Sequence, residues 1–328
     1  MISDERSLFP ADLGFRFPAE WSPHAGTWLT WPHNQNTWPH NLSEAQSEFE
    51  TFVRTIADVE PVNLLATGEL GKSLTLQFSS HPQISVFDIV TNDSWIRDYG
   101  PTYVKAETGS IWGIDWIYNG WGEKYPPFDS DQEAAKRILA SSSIPSFQSS
   151  LVLEGGSIES NGESACLTTR QSVQARNPKR STPEIKKELH QTLGLEDIYV
   201  LECAAIQGDD TDGHVDQVAR FISPHQIVVS QRQAALVKAQ LKKTDFQVIE
   251  LPDPAEVKMF GTSLPCSYTN FYFANSTVIV PQFGDPQDDW VVGLLRELLP
   301  SRVVQGLPSR NLSVGLGSFH CLAQQQPA

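Results

Sequence analysis

The amino-acid sequence predicts an α/β protein that forms one domain over residues 1–328. Apolar or β-branched runs typical of strands alternate with helical patterns from one end of the chain to the other. No charged tail, low-complexity tract or flexible linker divides this alternation, and the soft stretch SSSIPSFQSS at 141–150 has the length of a loop. Hydrophobic periodicity alone does not distinguish a doubly wound sheet from a barrel or a propeller.

The strand predictions rest on short apolar runs rich in β-branched and aromatic residues. Eight such runs occur along the chain: GTWLTW (26–31), VNLLA (62–66), ISVFDIV (84–90), IWGIDWIY (111–118), QVARFI (217–222), QIVVS (226–230), FQVIEL (246–251) and FYFANSTVIVP (271–281). Their lengths suit strands rather than helices, so they supply the sheet component of the predicted fold.

Four segments between these runs have a helical pattern. SEAQSEFETFVRTIAD begins at Ser43, a favourable N-cap residue, and its large apolar residues recur on one helical face. STPEIKKELHQTLG begins with Thr182 as the predicted cap, has Pro183 at the first helical position and stops at Gly194. RQAALVKAQLKK and the stretch 288–299 have the same character. Helices of this kind would cover the predicted strands.

The overall charge restricts the classes of ligand that the protein could bind. Asp and Glu number 39 against 24 Lys and Arg, which gives a formal net charge of −15. Such a surface repels phosphate backbones, because affinity for nucleic acid depends on Lys and Arg. It attracts small cations toward any cleft lined with carboxylates. The charge therefore predicts a small cationic ligand and no nucleic-acid partner, although acidic proteins are also common for reasons of solubility alone.

Targeting segments and cysteine usage predict a cytoplasmic protein. The opening MISDERSLFP has no apolar stretch behind its charges, so no secretory signal is expected. No apolar run approaches the roughly 18 residues of a membrane span, which predicts no membrane association. The four cysteines lie far apart without a CxxC pair, as expected in a reducing compartment.

Four stretches place charged residues beside glycine at the ends of apolar runs. They are NDSWIRDYGP (92–101), LVLEGGSIES (151–160), GDDTDGHVDQVARFI (208–222) and GLGSFHC (315–321). Glycine after a strand lets the backbone turn or a ligand approach closely. His214 and Asp216 are two residues apart, so in an extended chain both would face one pocket. Cys321 adds a thiol that could attack an electrophilic carbon, with an imidazole to move the proton.

Each of these residues also has a purely structural interpretation. A lone cysteine is often a small buried hydrophobe, and a lone histidine is often a satisfied core residue. Asp98 could organise the turn before Pro101, and Glu154 could be a solvated strand end. A calcium loop is excluded, because Gly208 and Ala219 stand where an EF-hand needs Asp and Glu. The eight histidines have no HExxH or comparable zinc-ligand spacing.

Taken together, the ordered motifs resemble those of the agmatine deiminase family, which belongs to a superfamily of guanidine-modifying enzymes. The similarity extends over nearly the whole chain. It is carried by GFRFPAEWSPHAGTWLTWPHNQNTWP, NDSWIRDYGP, YNGWGEKYPPFD, LEGGSIESNG, GDDTDGHVD and HCLAQQ, which follow in that order. The resemblance implies a fold that periodicity did not select, the pentein fold, a five-bladed pseudo-symmetric α/β propeller of ββαβ units around a central pocket.

The resemblance also implies roles for particular residues. Cys321 matches the family's nucleophile and His214 its general acid/base. Asp98 and Asp216 match the two aspartates that bind the guanidinium, and Glu154 matches the glutamate that stabilises the site. Residues matching the substrate-binding positions are Trp95, Asp210 and Trp121. The family needs no metal or other cofactor, and its members often form homodimers.

The reaction implied by the resemblance is hydrolysis of agmatine to N-carbamoylputrescine and ammonia through a covalent amidino-thioether on Cys321. One departure is that GLGSFHC stands where the family carries GGGNIHC, and another is Asp212, where many members have Asn. The alternatives are a deiminase of free or peptidyl arginine, a metal-dependent amidohydrolase using His214 and Asp216, and a non-catalytic polyamine-binding protein. A free-arginine enzyme needs a cation for the substrate's carboxylate, and Arg97 is the candidate among these motifs.

Overall fold

The computed structural model describes residues 8–328 and has the predicted α/β composition. Residues 1–7, most of the segment on which the prediction about a secretory signal rests, lie outside the described residues. The α-helices are α1 (Leu42–Ala57), α2 (Gly68–Gln77), α3 (Ile96–Tyr99), α4 (Gly120–Glu123), α5 (Asp129–Gln132), α6 (Ala134–Ser141), α7 (Arg170–Arg176), α8 (Thr182–Leu193), α9 (Gln231–Leu241) and α10 (Asp288–Leu298). Short 3₁₀ turns lie at Pro10–Leu13, Gly155–Ser157, Val215–Gln217, Tyr268–Asn270 and Leu312–Gly315.

Nineteen strands connect these helices within residues 8–328. They are β1 (Phe15–Arg16), β2 (His24–Thr30), β3 (Val62–Leu65), β4 (Ile84–Phe87), β5 (Thr102–Ala106), β6 (Ile111–Ile117), β7 (Ser146–Val152), β8 (Ile158–Ser160), β9 (Ala165–Thr169), β10 (Asp197–Leu201), β11 (Ala219–Ser223), β12 (Gln226–Ser230), β13 (Gln247–Leu251), β14 (Lys258–Met259), β15 (Thr262–Ser263), β16 (Tyr272–Phe273), β17 (Thr277–Gln282), β18 (Val303–Pro308) and β19 (Ala323–Pro327).

The strands form several small sheets with one repeated pattern. The orders are β1-β5-β6-β7, β10-β9-β8, β11-β12-β13, β16-β17-β18 and β19-β2-β3-β4, beside a β14-β15 hairpin. In each of the five larger sheets an antiparallel pair is followed by a parallel strand reached through a helical connection, as in β11-β12 and then α9 and β13. Parallel neighbours need such a crossover, which is why helices alternate with strands along the chain.

All eight predicted strand segments contain strands, with two differences of detail. The run 271–281 is interrupted by a turn and forms the hairpin of β16 and β17. The serine-rich stretch 141–150, predicted to be a loop, contains the first five residues of β7. Ser146, Gln148 and Ser150 are the exposed positions of β7, so composition gave no apolar strand pattern there.

The four predicted helices are present, but two begin at other caps. α1 is preceded by Asn41 rather than starting after Ser43. α8 is capped by Ser181, which forms a capping box with Glu184, so the prediction of Thr182 as the cap was wrong by one residue. Gly194 ends α8 with φ of 65°, a conformation that glycine adopts without a steric cost.

The C-terminal segment is an integral strand of one sheet. β19 pairs antiparallel with β2, and the Ala328 backbone N–H donates to the Pro23 carbonyl at 2.8 Å. Trp28 donates from its indole to the Gln326 side chain at 2.9 Å, across 298 residues of sequence. Because Cys321 lies two residues before β19, this pairing fixes the position of its backbone.

No helix among residues 8–328 is both long and apolar enough to cross a membrane.

Candidate active site

A cavity of about 870 Å³ opens where loops from several sheets meet. Five of the eight residues predicted to act on substrate line it: Trp95, Asp98, Trp121, Asp210 and Cys321. The other three are buried behind them: His214 contacts Asp98, Asp216 contacts Cys321, and Glu154 contacts His214. Segments up to 223 residues apart, from Asp98 to Cys321, thus form one cluster, as the motifs predict.

Asp98 lies in the one-turn helix α3 that follows the β4 strand end. Its Oδ2 accepts a hydrogen bond from the Trp121 indole at 2.9 Å, and its Oδ1 accepts one from the Gly156 backbone N–H at 3.1 Å. Burial raises the pKa of the Asp98 carboxyl to about 6, although the charge of His214 opposes the rise. Asp98 is therefore an ionised carboxylate at neutral pH with a strong preference for a cationic partner.

His214 stands between two carboxylates. Its Nε2 lies 3.3 Å from Glu154 Oε2, and its Nδ1 lies 3.6 Å from Asp98 Oδ1. Burial favours the neutral ring, but Asp98 and Glu154 outweigh burial and raise the pKa of His214 to about 9. The ring therefore carries a proton at neutral pH, as a general acid requires.

Arg176 pairs with the Glu154 carboxylate oxygen that does not face His214. Its Nε donates to Glu154 Oε1 at 2.6 Å, and its Nη1 donates to Asp212 at 2.6 Å. Burial alone would raise the pKa of the Glu154 carboxyl, yet His214 and Arg176 leave it below the usual value. The carboxylate of Glu154 thus stays charged and fixes the orientation of the His214 ring.

Asp216 and Cys321 face each other at the inner end of the cavity. Cys321 Sγ lies 3.6 Å from Asp216 Oδ2 and accepts a hydrogen bond from the Asn270 amide at 3.2 Å. Cys321 is 5 % exposed but lines the cavity, so the sulfur is reachable from one side only. Burial and the charges of Asp216 and Asp98 raise the pKa of the thiol well above its usual value. Without a bound cation, the thiol is protonated.

Gly315 and Gly317, which precede Cys321, leave space for the Trp95 ring. A Cβ on Gly315 would lie 2.7 Å from the Trp95 ring, and one on Gly317 would clash with the same ring. Trp95 also lies against Trp38, with ring centroids 5.5 Å apart. The indole is therefore held against the backbone of Gly315 and Gly317 as part of the cavity wall, and this close approach requires glycine at both positions.

The departures in GLGSFHC have visible structural consequences. Leu316 has φ of 73°, where the family's glycine would be unstrained, at a cost of about 1 kcal/mol. Ser318 hydrogen-bonds Ser309 through their hydroxyl groups at 2.6 Å, and Phe319 stacks on Phe52 with centroids 4.5 Å apart. These contacts anchor the segment in the core and leave Cys321 in the cavity.

The mouth of the cavity is acidic and carries Asp210. Burial raises the pKa of the Asp210 carboxyl, and Tyr125 hydrogen-bonds it. Lys124, the nearby cation, pairs with Asp212 at 2.8 Å and donates to the Asp210 carbonyl. Since Lys124 is engaged by Asp212, the Asp210 carboxylate remains suited to an incoming amine.

Several residues that organise the site were not predicted. Arg176, Asn270 and His320 contact predicted residues, and Glu20 contacts His320. Glu20 belongs to the motif GFRFPAEW and His320 to HCLAQQ, so both lie in recognised motifs without an assigned role. Arg176 and Asn270 lie in no quoted motif, and their contacts with Glu154 and Cys321 depend on chain segments that only folding brings together.

Among residues 8–328, no group of three or more histidine, cysteine or acidic side chains is arranged to hold a metal ion.

Comparison with known proteins gives a consistent result over the whole chain. The family model of the Porphyromonas-type peptidyl-arginine deiminases matches residues 16–327. The chain is similar to an agmatine deiminase of Medicago truncatula, at 34% identity over 97% of this chain and 98% of the relative. Its structure is similar to that of an agmatine deiminase of Enterococcus faecalis, with a TM-score of 0.90, 29% identity and coverage of 98% of both chains.

A second solved structure, a C. jejuni agmatine deiminase with substrate bound, matches with a TM-score of 0.88 at 29% identity over 96% of each chain. The matched segments contain every residue of the cluster around Cys321. Family model, curated relative and solved structures therefore agree, and the chain belongs to the agmatine deiminase family, which the family model describes as Porphyromonas-type peptidyl-arginine deiminases.

Proposed function

We propose that the protein hydrolyses agmatine to N-carbamoylputrescine and ammonia. The observation that carries this proposal is the arrangement around Cys321: a thiol, an imidazolium and two carboxylates surround one end of an acidic cavity. Asp216 Oδ1 and His214 Nδ1 are buried there without a hydrogen-bond partner. Buried polar atoms are normally paired, so both are suited to bind a ligand's N–H groups or nitrogen. Relatives and solved structures named as agmatine deiminases give further support.

The recognition step depends on the planar, permanently charged guanidinium. Asp98 and Asp216 can accept its N–H groups in charge-assisted bonds that fix its plane. A unit charge pair near 4 Å is worth about 4 kcal/mol at an effective dielectric of roughly 20. The bound cation also offsets the negative field that keeps the Cys321 thiol protonated, so substrate binding favours release of the thiol proton. Binding and activation of the nucleophile are thereby coupled.

The chemical steps follow from the same geometry. The Cys321 thiolate attacks the guanidinium carbon, and His214 gives its proton to one terminal nitrogen, which leaves as ammonia. The remaining amidino-thioether is attacked by water, whose proton returns to His214. The carbon–sulfur bond then breaks, the product keeps the new oxygen, and its surplus proton restores the thiol. No step requires a redox partner.

The site suits agmatine better than free arginine. Arg97, the cation that could meet a carboxylate, is 3 % exposed, ion-paired with Glu20 at 3.3 Å and bound to Gln325 at 2.7 Å. Arg97 is absent from the residues that line the cavity. The second positive charge of agmatine instead matches Asp210 at the mouth, with the aliphatic chain along Trp95. A carboxylate beside the same acids would be repelled.

The decisive experiment compares turnover of agmatine with that of free and peptidyl arginine by purified protein. We expect agmatine to give the highest kcat/KM, and mass spectrometry after rapid quenching to detect an amidino adduct on Cys321. Activity should survive a chelator and be lost after iodoacetamide. Preference for arginine would reject the substrate assignment. Chelator-sensitive turnover without an adduct would reject the covalent mechanism.

We expect kcat/KM for agmatine to follow a bell-shaped pH profile. Below about pH 6 Asp98 gains a proton and loses the charge that binds the guanidinium, so kcat/KM falls as pH decreases. Above about pH 9 His214 loses the proton that it must give to ammonia, so kcat/KM falls as pH increases. Steady-state kinetics from pH 5 to 10 in constant ionic strength measures both limbs.

The acidic limb can be assigned with two tryptophan variants. Trp121→Phe removes the hydrogen bond that lowers the Asp98 pKa, so we expect the limb to move to higher pH. Trp116→Phe is the matched control, because its indole donates to Thr102 and the residue does not line the cavity. An acidic limb that is the same in all three proteins would contradict the assignment to Asp98.

We further propose that the five larger sheets are the blades of a pseudo-symmetric propeller, and that residues 1–328 form a single catalytic domain. The repeated pattern of an antiparallel pair followed by a parallel strand supports the first proposal. The cavity shared by distant loops supports the second. From the family resemblance we also propose a homodimer that works in the cytoplasm, which gel filtration with light scattering and cell fractionation would test.

A further inference from the structure

A line of buried charges continues behind Asp216, away from the cavity. His320 Nδ1 lies 2.8 Å from Asp216 Oδ2, and His320 Nε2 lies 2.8 Å from Glu20 Oε2. The three side chains are at most 3 % exposed. Both ring nitrogens thus face carboxylate oxygens, and the ring satisfies both only when it carries a proton on each. His320 is then a cation between two acids, next in sequence to the nucleophile.

Glu20 is itself held on both oxygens. Its Oε1 lies 2.8 Å from Arg220 Nη2 and accepts the Phe273 backbone N–H at 2.9 Å. Its Oε2, which pairs with His320, also lies 3.3 Å from Arg97 Nη2. These contacts come from three distant parts of the chain, so the carboxylate cannot rotate away from His320 without losing them.

The consequence for Asp216 is geometric. Its Oδ2 is occupied by His320, whereas its Oδ1 is buried without a hydrogen-bond partner. The Arg97 guanidinium also donates to the His320 carbonyl at 3.2 Å, which fixes the backbone before Cys321. The anchored oxygen, Oδ2, is also the one that lies 3.6 Å from Cys321 Sγ, so the contact with His320 sets which way the carboxylate faces in the site.

We propose that Glu20, acting through His320, is the positioning residue that keeps the Asp216 carboxylate turned with Oδ2 beside Cys321, where it meets the guanidinium of the substrate. Glu20 does not touch substrate, and its effect passes through the His320 ring. This inference deepens the proposed function and rests on it for the identity of the cation. The inference and the proposed function can fail separately, because alkylation of the Cys321 thiol reports on Asp216 without any turnover of agmatine.

Further charged groups surround Asp216, His320 and Glu20. Asp216 faces His320, His214 and Arg220 as cations and Asp98 as an anion. Burial raises the pKa of the Asp216 carboxyl, but His320 first and then His214 and Arg220 bring it below the usual value. Glu20 faces Arg220, His320 and Arg97, and Glu159 pairs with the opposite side of Arg220 at 2.9 Å. Removing the Glu20 charge frees one side of the His320 ring, so the hydrogen bond from His320 that lowers the Asp216 pKa is weakened.

The test uses alkylation of Cys321 by a matched pair of reagents, cationic chloroacetamidine and neutral chloroacetamide. Each forms a carbon–sulfur bond and releases chloride, and mass spectrometry identifies the modified cysteine. Ionised Asp216 and Asp98 favour the cation, so the rate ratio falls in two steps: Asp98 gains a proton at about pH 6, and Asp216, whose pKa is held below its usual value, gains one at lower pH. In Glu20→Gln we expect the midpoint of the Asp216 step to move up by at least one pH unit, which is about ten-fold in proton affinity. The acidic limb of agmatine kcat/KM, which belongs to Asp98, should stay in place while KM for agmatine rises.

Glu159→Gln is the matched control. It removes a carboxylate from the same arginine, Arg220, but Glu159 does not contact His320. Its midpoint should stay at the wild-type value. If Glu20→Gln does not fold, His320→Asn is used instead, since its amide can donate to Asp216 without a charge; the same upward movement is expected.

Equal midpoints in wild type and in the Glu20 or His320 variant would overturn the inference, as would an equal shift in Glu159→Gln. An enzyme that alkylates with the expected pattern but does not turn over agmatine would reject only the proposed substrate.

Discussion

Replacing Cys321 by serine is expected to abolish turnover of agmatine while leaving its binding intact. A hydroxyl is a far weaker nucleophile than a thiolate, and the neighbouring Asp216 carboxylate is too weak a base to deprotonate it, so kcat should fall by at least about 10³-fold. Asp98 and Asp216 remain in place, because serine preserves the side-chain geometry. Single-turnover kinetics gives the rate, and isothermal titration gives the affinity for agmatine.

Cys203→Ser is the matched control for this substitution. Cys203 is a half-buried free cysteine that does not line the cavity. Its replacement should leave kcat near the wild-type value and should not prevent alkylation of Cys321 by iodoacetamide. If Cys321→Ser kept more than about a tenth of the wild-type kcat, covalent catalysis by this thiol would be wrong.

Adding one methyl group at Gly156 is expected to disable the site without unfolding the protein. A Cβ there would lie 2.7 Å from Asp98 Oδ1, 2.7 Å from His214 Nδ1 and 3.0 Å from Asp216 Oδ2. The methyl therefore occupies the space between the groups that must converge on the guanidinium. A misplacement of about 1 Å can cost about 10²-fold in rate, so kcat/KM should fall by about that factor or more.

The control for Gly156→Ala is Gly293→Ala in α10. A Cβ on Gly293 meets nothing within 4 Å, and alanine is the better helix former by about 1 kcal/mol. Gly293→Ala should keep full activity with equal or higher thermal stability, measured by differential scanning calorimetry. A Gly156→Ala enzyme with wild-type kcat/KM would show that the three groups do not act on one bound cation.

The sequence predicted the parts of this protein that depend on local pattern. Strand runs, helix faces and the stop at Gly194 follow from spacing within a few residues. The motifs also identified the thiol, the imidazole and the acids that meet in the cavity. Local pattern could not predict contacts between distant parts of the chain. The register of β19 on β2 and the contact of Glu20 with Phe273 each join residues more than 200 positions apart.

β7 and Gly156 show the same limit of prediction from local sequence. β7 was taken for a loop because its exposed positions are serine and glutamine, which carry no apolar alternation. Gly156 stood in a recognised motif, but only the folded structure places its α-carbon against Asp98, His214 and Asp216 at once. The sequence shows a glycine at position 156 but not the packing that requires it.

The pairing of β19 with β2 also bears on how the protein is made. During translation β2 is synthesised early, and its antiparallel partner follows only after nearly the entire remaining chain, as the 298-residue separation between Trp28 and Gln326 shows. Until then one edge of that sheet has no neighbour and is open to pairing with other nascent chains. Cys321 lies two residues before β19, so the thiol and the strand that covers this edge are added to the nascent chain together.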